Sequence, residues 1–464
     1  MKVEQIYTGC LAHGAYYIES NGEAAIVDPL REIQPYLDRA EANGAKIKYV
    51  FETHFHADFV SGHIDLAKAS GAQIIYGPTA NPGFESYIAK DGEEFKLGNV
   101  VIKALHTPGH TMESTTYLLK GENGKDNAIF SVGRPDLAQK AASMTQEELA
   151  GILFDSLREK IMPLADEVIV YPGHGAGSAC GKNMMKETVD LLGNQKKMNY
   201  ALRADMTREE FIKEVTDGLV KPPAYFPENV RMNKGGYKSF EDVMRQGMTP
   251  LSPSAFEAAA NETDAVVLDT RDPQEFAKGF VPNAINIGIK GQFAPWVGAL
   301  IQGVSQEILL ICEPGKEQEV ITRLSRVGYD NVLGFLEGGF DAWKDARKEV
   351  DTINTIDAFE FEKAVNANPD HKIVDVRKPS EFEAEHVDGA INLPLDFIND
   401  LMPEFPQEEM MYIHCRSGYR SMIAASILKS RGFSNFAEVA GGYEAIETET
   451  SLERTNYVCP TTLK

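Results

Sequence analysis

Short apolar runs, each closed by a turn or a polar stretch, recur along the chain. Ile308-Leu309-Leu310-Ile311 and Met410-Met411-Tyr412-Ile413 have the length of buried strands, and amphipathic stretches follow them. Strand alternating with helix predicts α/β units with parallel sheets over the second half. The first half reads differently. Its start alternates as strands do, and the turns Gly77-Pro78, Pro108-Gly109 and Pro172-Gly173 interrupt the pattern. It is read as α/β with a mostly antiparallel sheet. No run approaches the roughly 18 consecutive apolar residues of a membrane-spanning helix.

The second half repeats itself. Val266-Val267-Leu268-Asp269-Thr270-Arg271 aligns with Ile373-Val374-Asp375-Val376-Arg377 when Asp269 is laid on Asp375. The same register carries Glu275-Phe276 onto Glu381-Phe382 and Asn283-Ala284-Ile285-Asn286 onto Gly389-Ala390-Ile391-Asn392. After a three-residue shift, Cys312 falls on Cys415 and Gly338-Gly339 on Gly441-Gly442. So many matches in order predict two copies of one unit. Turn-rich joins at Gln246–Pro250 and around 347–355 then give three domains, 1–245, 252–348 and 356–453. The length of 464 residues agrees, at about 150 residues per domain.

Charge and cysteine content narrow the function. Forty-six Lys and Arg against 69 Asp and Glu give a formal charge of −23, a surface that repels phosphate backbones and argues against nucleic-acid binding. Five Cys, an odd number, do not form a disulfide framework and suit a reducing compartment. The start, Met1 to Tyr7, lacks the apolar run of a signal peptide, so a cytoplasmic location is expected.

The densest chemistry is Thr53-His54-Phe55-His56-Ala57-Asp58-Phe59, directly after the apolar run Tyr49-Val50-Phe51. A strand end that delivers two imidazoles and a carboxylate into one loop suits a first-row metal. Two further histidines, His110 and His174, sit in Pro-Gly turns after apolar runs, where sites collect. His63, where a helix should begin, reads as a solvated helix residue, and Cys10 and Cys180 as structural.

These residues resemble the metallo-β-lactamase superfold, whose signature is H-x-H-x-D-H, and imply an αββα sandwich. Thr-His-x-His-Ala-Asp, Thr-Pro-Gly-His-Thr, Val-Gly-Arg-Pro-Asp-Leu and Tyr-Pro-Gly-His are similar to its persulfide dioxygenase branch. That resemblance implies one Fe(II) per chain, in preference to zinc, held by two His and one Asp with positions open to O₂ and substrate. By motif position His54 and His110 are the ligands. His56, Asp58 and His174 would orient ligands or bound water, and Arg134 would meet the substrate. Two departures stand out. The last His of the signature is Phe59, which cannot bind metal and weakens a two-metal site. The branch's ligand Asp lies in a T-G-D turn, but here Ala128-Ile129-Phe130-Ser131 runs straight into Val132-Gly133-Arg134-Pro135-Asp136. No residue matches that carboxylate, and several more residues are expected at the Ser131–Val132 join.

In the second copy an apolar run ends at His414-Cys415-Arg416-Ser417-Gly418-Tyr419-Arg420-Ser421, and an amphipathic helix is expected from Met422 to Arg431, closed by Gly432. Cys415 thus opens onto a helix N-terminus, where backbone N–H groups and two Arg favour a thiolate. With Asp375-Val376-Arg377, Glu381-Phe382 and Gly441-Gly442, this copy resembles a rhodanese sulfurtransferase with a parallel sheet. The resemblance implies that Cys415 carries a sulfane sulfur, with Arg416, Ser417, Gly418, Tyr419 and Arg420 around it. The first copy reads Cys312-Glu313-Pro314-Gly315-Lys316-Glu317, with Glu in place of both Arg and a Pro that removes one donor. It is expected to be silent.

The whole resembles fusions of a persulfide dioxygenase with a degenerate and an intact rhodanese. That implies oxidation of a low-molecular-weight thiol persulfide by O₂ to sulfite, with sulfane sulfur moving between persulfide, sulfite and thiosulfate. No nucleic-acid or membrane partner is expected, and assembly into a homo-oligomer is left open. Two rivals stand beside this reading: a dinuclear zinc thioester hydrolase of the glyoxalase II type, and a metal-free sulfur-carrier scaffold.

Overall fold

The computed structural model describes residues 1–131, 144–175, 187–217, 222–368 and 371–459. The Ser131–Val132 join, Arg134 and Cys180 lie outside the described residues. The chain divides into two compact units. One comprises Met1–Asp242 with Leu324–Gly328, and the other Val243–Arg323 with Tyr329–Lys464.

Two six-stranded sheets build the first unit. Strands Lys2–Thr8, His13–Ser20, Glu23–Val27, Lys46–Phe51, Gln73–Tyr76 and Tyr87–Ile88 lie side by side in that order. The second sheet runs Asp190–Leu191, Ile169–Pro172, Asp126–Ser131, Thr115–Lys120, Val100–His106, Glu94–Leu97. Six of the ten pairings are antiparallel and four are parallel.

The period of two along each strand decides the layers. Tyr16, Ile18, Ala25, Val27 and Phe51 face Val100, Ile102, Tyr117, Leu119 and Phe130 across the inter-sheet core. The intervening Ala15, Tyr17, Ala24, Ile26 and Val50 turn outward onto Tyr36 and Ala40 of helix Gln34–Ala42 and Leu66 of helix His63–Ser70. On the far side Leu118 and Ile129 meet Ile161 and Leu192, and the helix Gln146–Ser156 packs nearby through Leu149 and Leu153. Helix, sheet, sheet, helix is the αββα sandwich. Each such core side chain stabilises the fold by about 1.5–3 kcal/mol when fully buried.

The second unit holds both copies, each a five-stranded, wholly parallel sheet. The first runs Pro250–Leu251, Val332–Leu336, Ile308–Ile311, Val266–Asp269, Ile285–Asn286. The second runs Thr355–Ile356, Phe436–Val439, Met411–His414, Lys372–Asp375, Ile391–Asn392. The repeat extends to side chains. Arg271 grips Asp269 and Arg377 grips Asp375, each Nη2 to Oδ2 at 2.6 Å. Asn286 and Asn392 each donate to the two carbonyls of that bracket.

One helix departs from expectation. It spans Tyr419–Ser430, starting three residues before the expected Met422, and Ser421 to Leu428 are all buried, so it is not amphipathic. Its far side is covered by the first copy, where the backbone N–H of Asn286 donates to Ser426 Oγ at 2.9 Å.

Candidate functional site

At one end of the sandwich, strand ends from both sheets deliver the histidines. Backbone bonds stitch the sheets together there: Thr115 N–H to Thr53 O at 2.9 Å, Gly14 N–H to Gly173 O at 2.9 Å, and Gly175 N–H to Ala12 O at 2.7 Å. The loop after Lys46–Phe51 therefore lies against the turns that carry His110 and His174.

The structure brings the expected residues together. The His54 ring lies 4.7 Å from that of His110 and 4.2 Å from that of His56. His56, Asp58 and His174 are buried and offer ligand atoms all within 4.8 Å of one another. His174 Nε2 and Asp58 Oδ2 are 2.7 Å apart. Phe59 is wholly buried within the cluster, its ring 4.2 Å from His13 and 4.3 Å from His56.

A supporting layer fixes these groups. Thr53 donates its backbone N–H and its hydroxyl to the two oxygens of Asp28, at 2.7 and 2.8 Å. With its single hydrogen spent, Thr53 Oγ1 must accept from His54 Nδ1, 2.9 Å away. That tautomer leaves His54 Nε2 bare, the form a metal ligand needs.

Burial, aided by His56 and His110, holds His54 well below the usual imidazole range. It likewise pushes His13 down to about 3, with help from His174 and His56. For Asp58, burial works upward, yet the charge and hydrogen bond of His174 outweigh it and keep the carboxyl far below its ordinary range. A neutral His54 near an ionised Asp58 is a combination that metal ligation can use.

Three residues of this layer escaped the sequence reading. Asp28, which ends the apolar run Ala24–Val27, is within 3.1 Å of His56 Nε2. His13 flanks His174 in an isolated bridge. Asn233, from helix Phe226–Gly235, donates to the carbonyls of His56 and Phe59, both at 2.8 Å, and accepts from Ser61 N–H. Asp28 had a signal, a carboxylate at a strand end before Pro29. Asn233 had none, because nothing local marks an amide that caps a loop so distant in sequence. His63 needs a correction. It is wholly buried, with Nδ1 3.7 Å from Glu52 Oε1, and not solvated.

In the second unit Cys415 follows the buried strand Met411–His414 and is itself buried. Gly418, at φ +98°, aims its N–H at Cys415 Sγ, 3.2 Å away. Gly442 must be glycine: it has φ +59°, and a Cβ would lie 2.6 Å from Cys415 O. That closeness lets Tyr443 and Glu444 N–H hold the carbonyls of Cys415 and Arg416 at 2.7 and 3.0 Å. Both loop arginines are already paired, Arg420 bidentately with Glu381 at 2.6 and 2.8 Å, and Arg416 with Glu444 at 2.7 Å. The Gly418 N–H adds to the positive potential at Sγ, and Arg420 still acts on Cys415 electrostatically across its pair with Glu381. Ser417, Gly418 and Tyr419 line a cavity of about 360 Å³ together with Arg271, Gln274 and Lys290 of the first copy. Cys312 is buried too, and there burial, then the carboxylates of Glu317, Asp269 and Glu313, push the thiol up to about 12.

Compared with known proteins, residues 8–121 match the metallo-beta-lactamase superfamily. Residues 252–346 and 357–449 each match the rhodanese-like domain. A probable hydroxyacylglutathione hydrolase of Schizosaccharomyces pombe is 30% identical over 174 residues, 36% of this chain and 66% of that protein. The hydroxyacylglutathione hydrolase of Rhizobium etli is 32% identical over 172 residues, 36% of this chain and 61% of its own. The chain thus spans just under two thirds of the length of these relatives. A metallo-beta-lactamase structure from Staphylococcus aureus superimposes with a TM-score of 0.64 at 29% identity, covering 72% of this chain and 98% of that one. No described helix is long and apolar enough to cross a membrane.

Proposed function

We propose a division of labour for this enzyme, in which a metallo-beta-lactamase superfamily domain is joined to two rhodanese-like domains. The first domain oxidises the terminal sulfur of a low-molecular-weight thiol persulfide with O₂ and water, yielding sulfite and free thiol. The last domain moves sulfane sulfur through Cys415.

Whether the cluster suits a metal can be judged from its orphaned atoms. His56 Nδ1 and His174 Nδ1 are buried with no hydrogen-bond partner, and a metal-free scaffold would leave them so. By motif position His54 and His110 would hold the ion, and the orphaned nitrogens belong to His56 and His174 in the same cluster. Among the described residues, the carboxylates grouped with these imidazoles are Asp58, beside His56 and His174, and Asp28 and Glu52, beside His56. A bound ferrous ion would supply electrons for O₂ and coordination positions for both reactants. The chain's own part is to bury His54 and hold it neutral, and to fix its tautomer through Thr53.

The observation that carries this reading is Phe59. A benzyl ring, wholly buried between His13 and His56, occupies the place of the signature's last histidine. It leaves a second metal short of a ligand and so disfavours dinuclear hydrolysis. A second reading, zinc-dependent hydrolysis of a glutathione thioester, is the one that the names of the curated relatives favour over oxidation. Both readings place a sulfur-linked derivative of a small thiol at the cluster. Oxygen uptake with glutathione persulfide, run beside hydrolysis of a hydroxyacylglutathione, separates them. Uptake without hydrolysis supports the dioxygenase; hydrolysis without uptake supports its rival.

In the last domain the Cys415 thiolate attacks the sulfane sulfur of thiosulfate or a persulfide. A new S–S bond forms as the old one breaks and sulfite or thiolate leaves; an acceptor thiolate or sulfite then takes the sulfur and restores Cys415.

A further inference from the structure

Behind Cys415 lies a buried acid that the loop motif does not include. Glu438, on strand Phe436–Val439, has no exposed surface. Its Oε1 is 2.6 Å from Ser421 Oγ, and Ser421 Oγ is 3.4 Å from Cys415 Sγ. Its Oε2 meets no group at hydrogen-bond geometry.

A serine hydroxyl has one hydrogen and cannot donate to both neighbours at once. Two arrangements follow. In one, Cys415 S–H donates to Ser421, and Ser421 donates to the Glu438 carboxylate. In the other, the protonated Glu438 donates to Ser421, and Ser421 donates to the Cys415 thiolate. Passing from the first to the second breaks the S–H bond, hands that proton to Oγ and moves the hydroxyl's own proton to Oε1. No electrons move and no further reactant is needed.

We propose that Glu438 is a positioning residue of the sulfur-transfer loop, taking up the Cys415 thiol proton through Ser421 and returning it when the thiol re-forms. This rests on Cys415 being the sulfur carrier. Burial lifts the Glu438 carboxyl to about 7, against the opposing pull of Ser421 and the nearby Gln274 side chain, so it can gain and lose a proton near neutral pH. The groups around it are Ser421 on the helix Tyr419–Ser430, Cys415 beyond that serine, and Gln274 on the helix Pro273–Lys278. Of the loop's two cations, Arg416 pairs with Glu444, and Arg420 pairs with Glu381 while still acting electrostatically on Cys415.

The first copy supplies an independent comparison. Glu438 pairs with Thr355 at the station where Phe335 pairs with Pro250. Aligning Cys312 with Cys415 puts Gln318 where Ser421 stands. The copy with the acidic cysteine loop thus lacks both members of the relay.

The test is the rate of Cys415 alkylation by iodoacetamide in the full chain, mapped by peptide mass from about pH 5 to about pH 10. Two coupled groups sharing a proton titrate in two steps. The native chain should show two rises, and Glu438→Gln and Ser421→Ala should each lose one of them. A single rise in the native chain, or two rises retained in either variant, overturns the relay. If Glu438→Gln does not fold, Ser421→Ala decides alone. Sulfur transfer by Cys415→Ser is measured in parallel: full activity there would defeat the carrier reading and leave the titration to stand by itself.

Discussion

The two copies of the second unit share sheet order, the Asp-x-Arg bracket, the bracketing Asn and the Gly-Gly turn, yet their cysteines meet opposite surroundings. Cys312 is buried beside carboxylates that push its thiol up to about 12. Cys415 receives a backbone N–H from Gly418 and lies 3.4 Å from the Ser421 hydroxyl. The scaffold residues hold strand ends and turns, whereas the loop's chemistry resides in the seven positions that begin at the cysteine. One fold can therefore keep its stability after its loop has lost the means to stabilise an anion.

The largest expected effect breaks the comparison outright. Cys415→Ser should abolish sulfur transfer from thiosulfate to cyanide, and Cys312→Ser should leave the rate within about twofold, well inside the tenfold that one pKa unit represents. Equal losses would mean that the first copy is not silent.

A graft sharpens it. Replacing Glu313→Arg, Pro314→Ser and Glu317→Arg together removes two carboxylates and restores a donor. Alkylation of Cys312 near neutral pH should rise by about tenfold, the equivalent of one pKa unit in the thiol. An unchanged rate would place the cause in burial alone.

The pH profile of the native chain gives a smaller difference. A thiol raised to about 12 gains thiolate steadily below that value, so Cys312 alkylation should still be climbing beyond about pH 10. A plateau below neutral pH would contradict the carboxylate surroundings.

The smallest effect concerns what the copies share. Asn286→Ala and Asn392→Ala each leave bracket carbonyls without their donor, a loss of about 1–3 kcal/mol in urea unfolding. Asn286 is the more deeply buried and should cost more. If neither variant lost stability, the bracket would not be structural.

These contrasts also explain what was legible in the sequence. The repeat was readable because its markers keep one spacing in both copies, Asp269 to Asn286 and Asp375 to Asn392 each being 17 residues apart. The imidazole cluster was readable because His54, His56 and Asp58 share one loop and the other turns carry Pro-Gly. Helix Tyr419–Ser430 was misjudged because its far face is covered by the first copy, which no local window records. His63 was misjudged for the same reason, its ring enclosed by Phe84 and Tyr237. Asn233 and Glu438 act across the fold on loops far from them in sequence, and periodicity carries no trace of such contacts.

The measurement that bears most directly on the central claim is the number and identity of metal ions in the full-length protein, by elemental analysis with anomalous scattering. A cluster in which Phe59 stands where a second metal needs a ligand predicts one metal ion per chain, and the dioxygenase proposal predicts that it is iron. Two zinc ions per chain, about 3.5–4 Å apart as in two-metal sites, would contradict it.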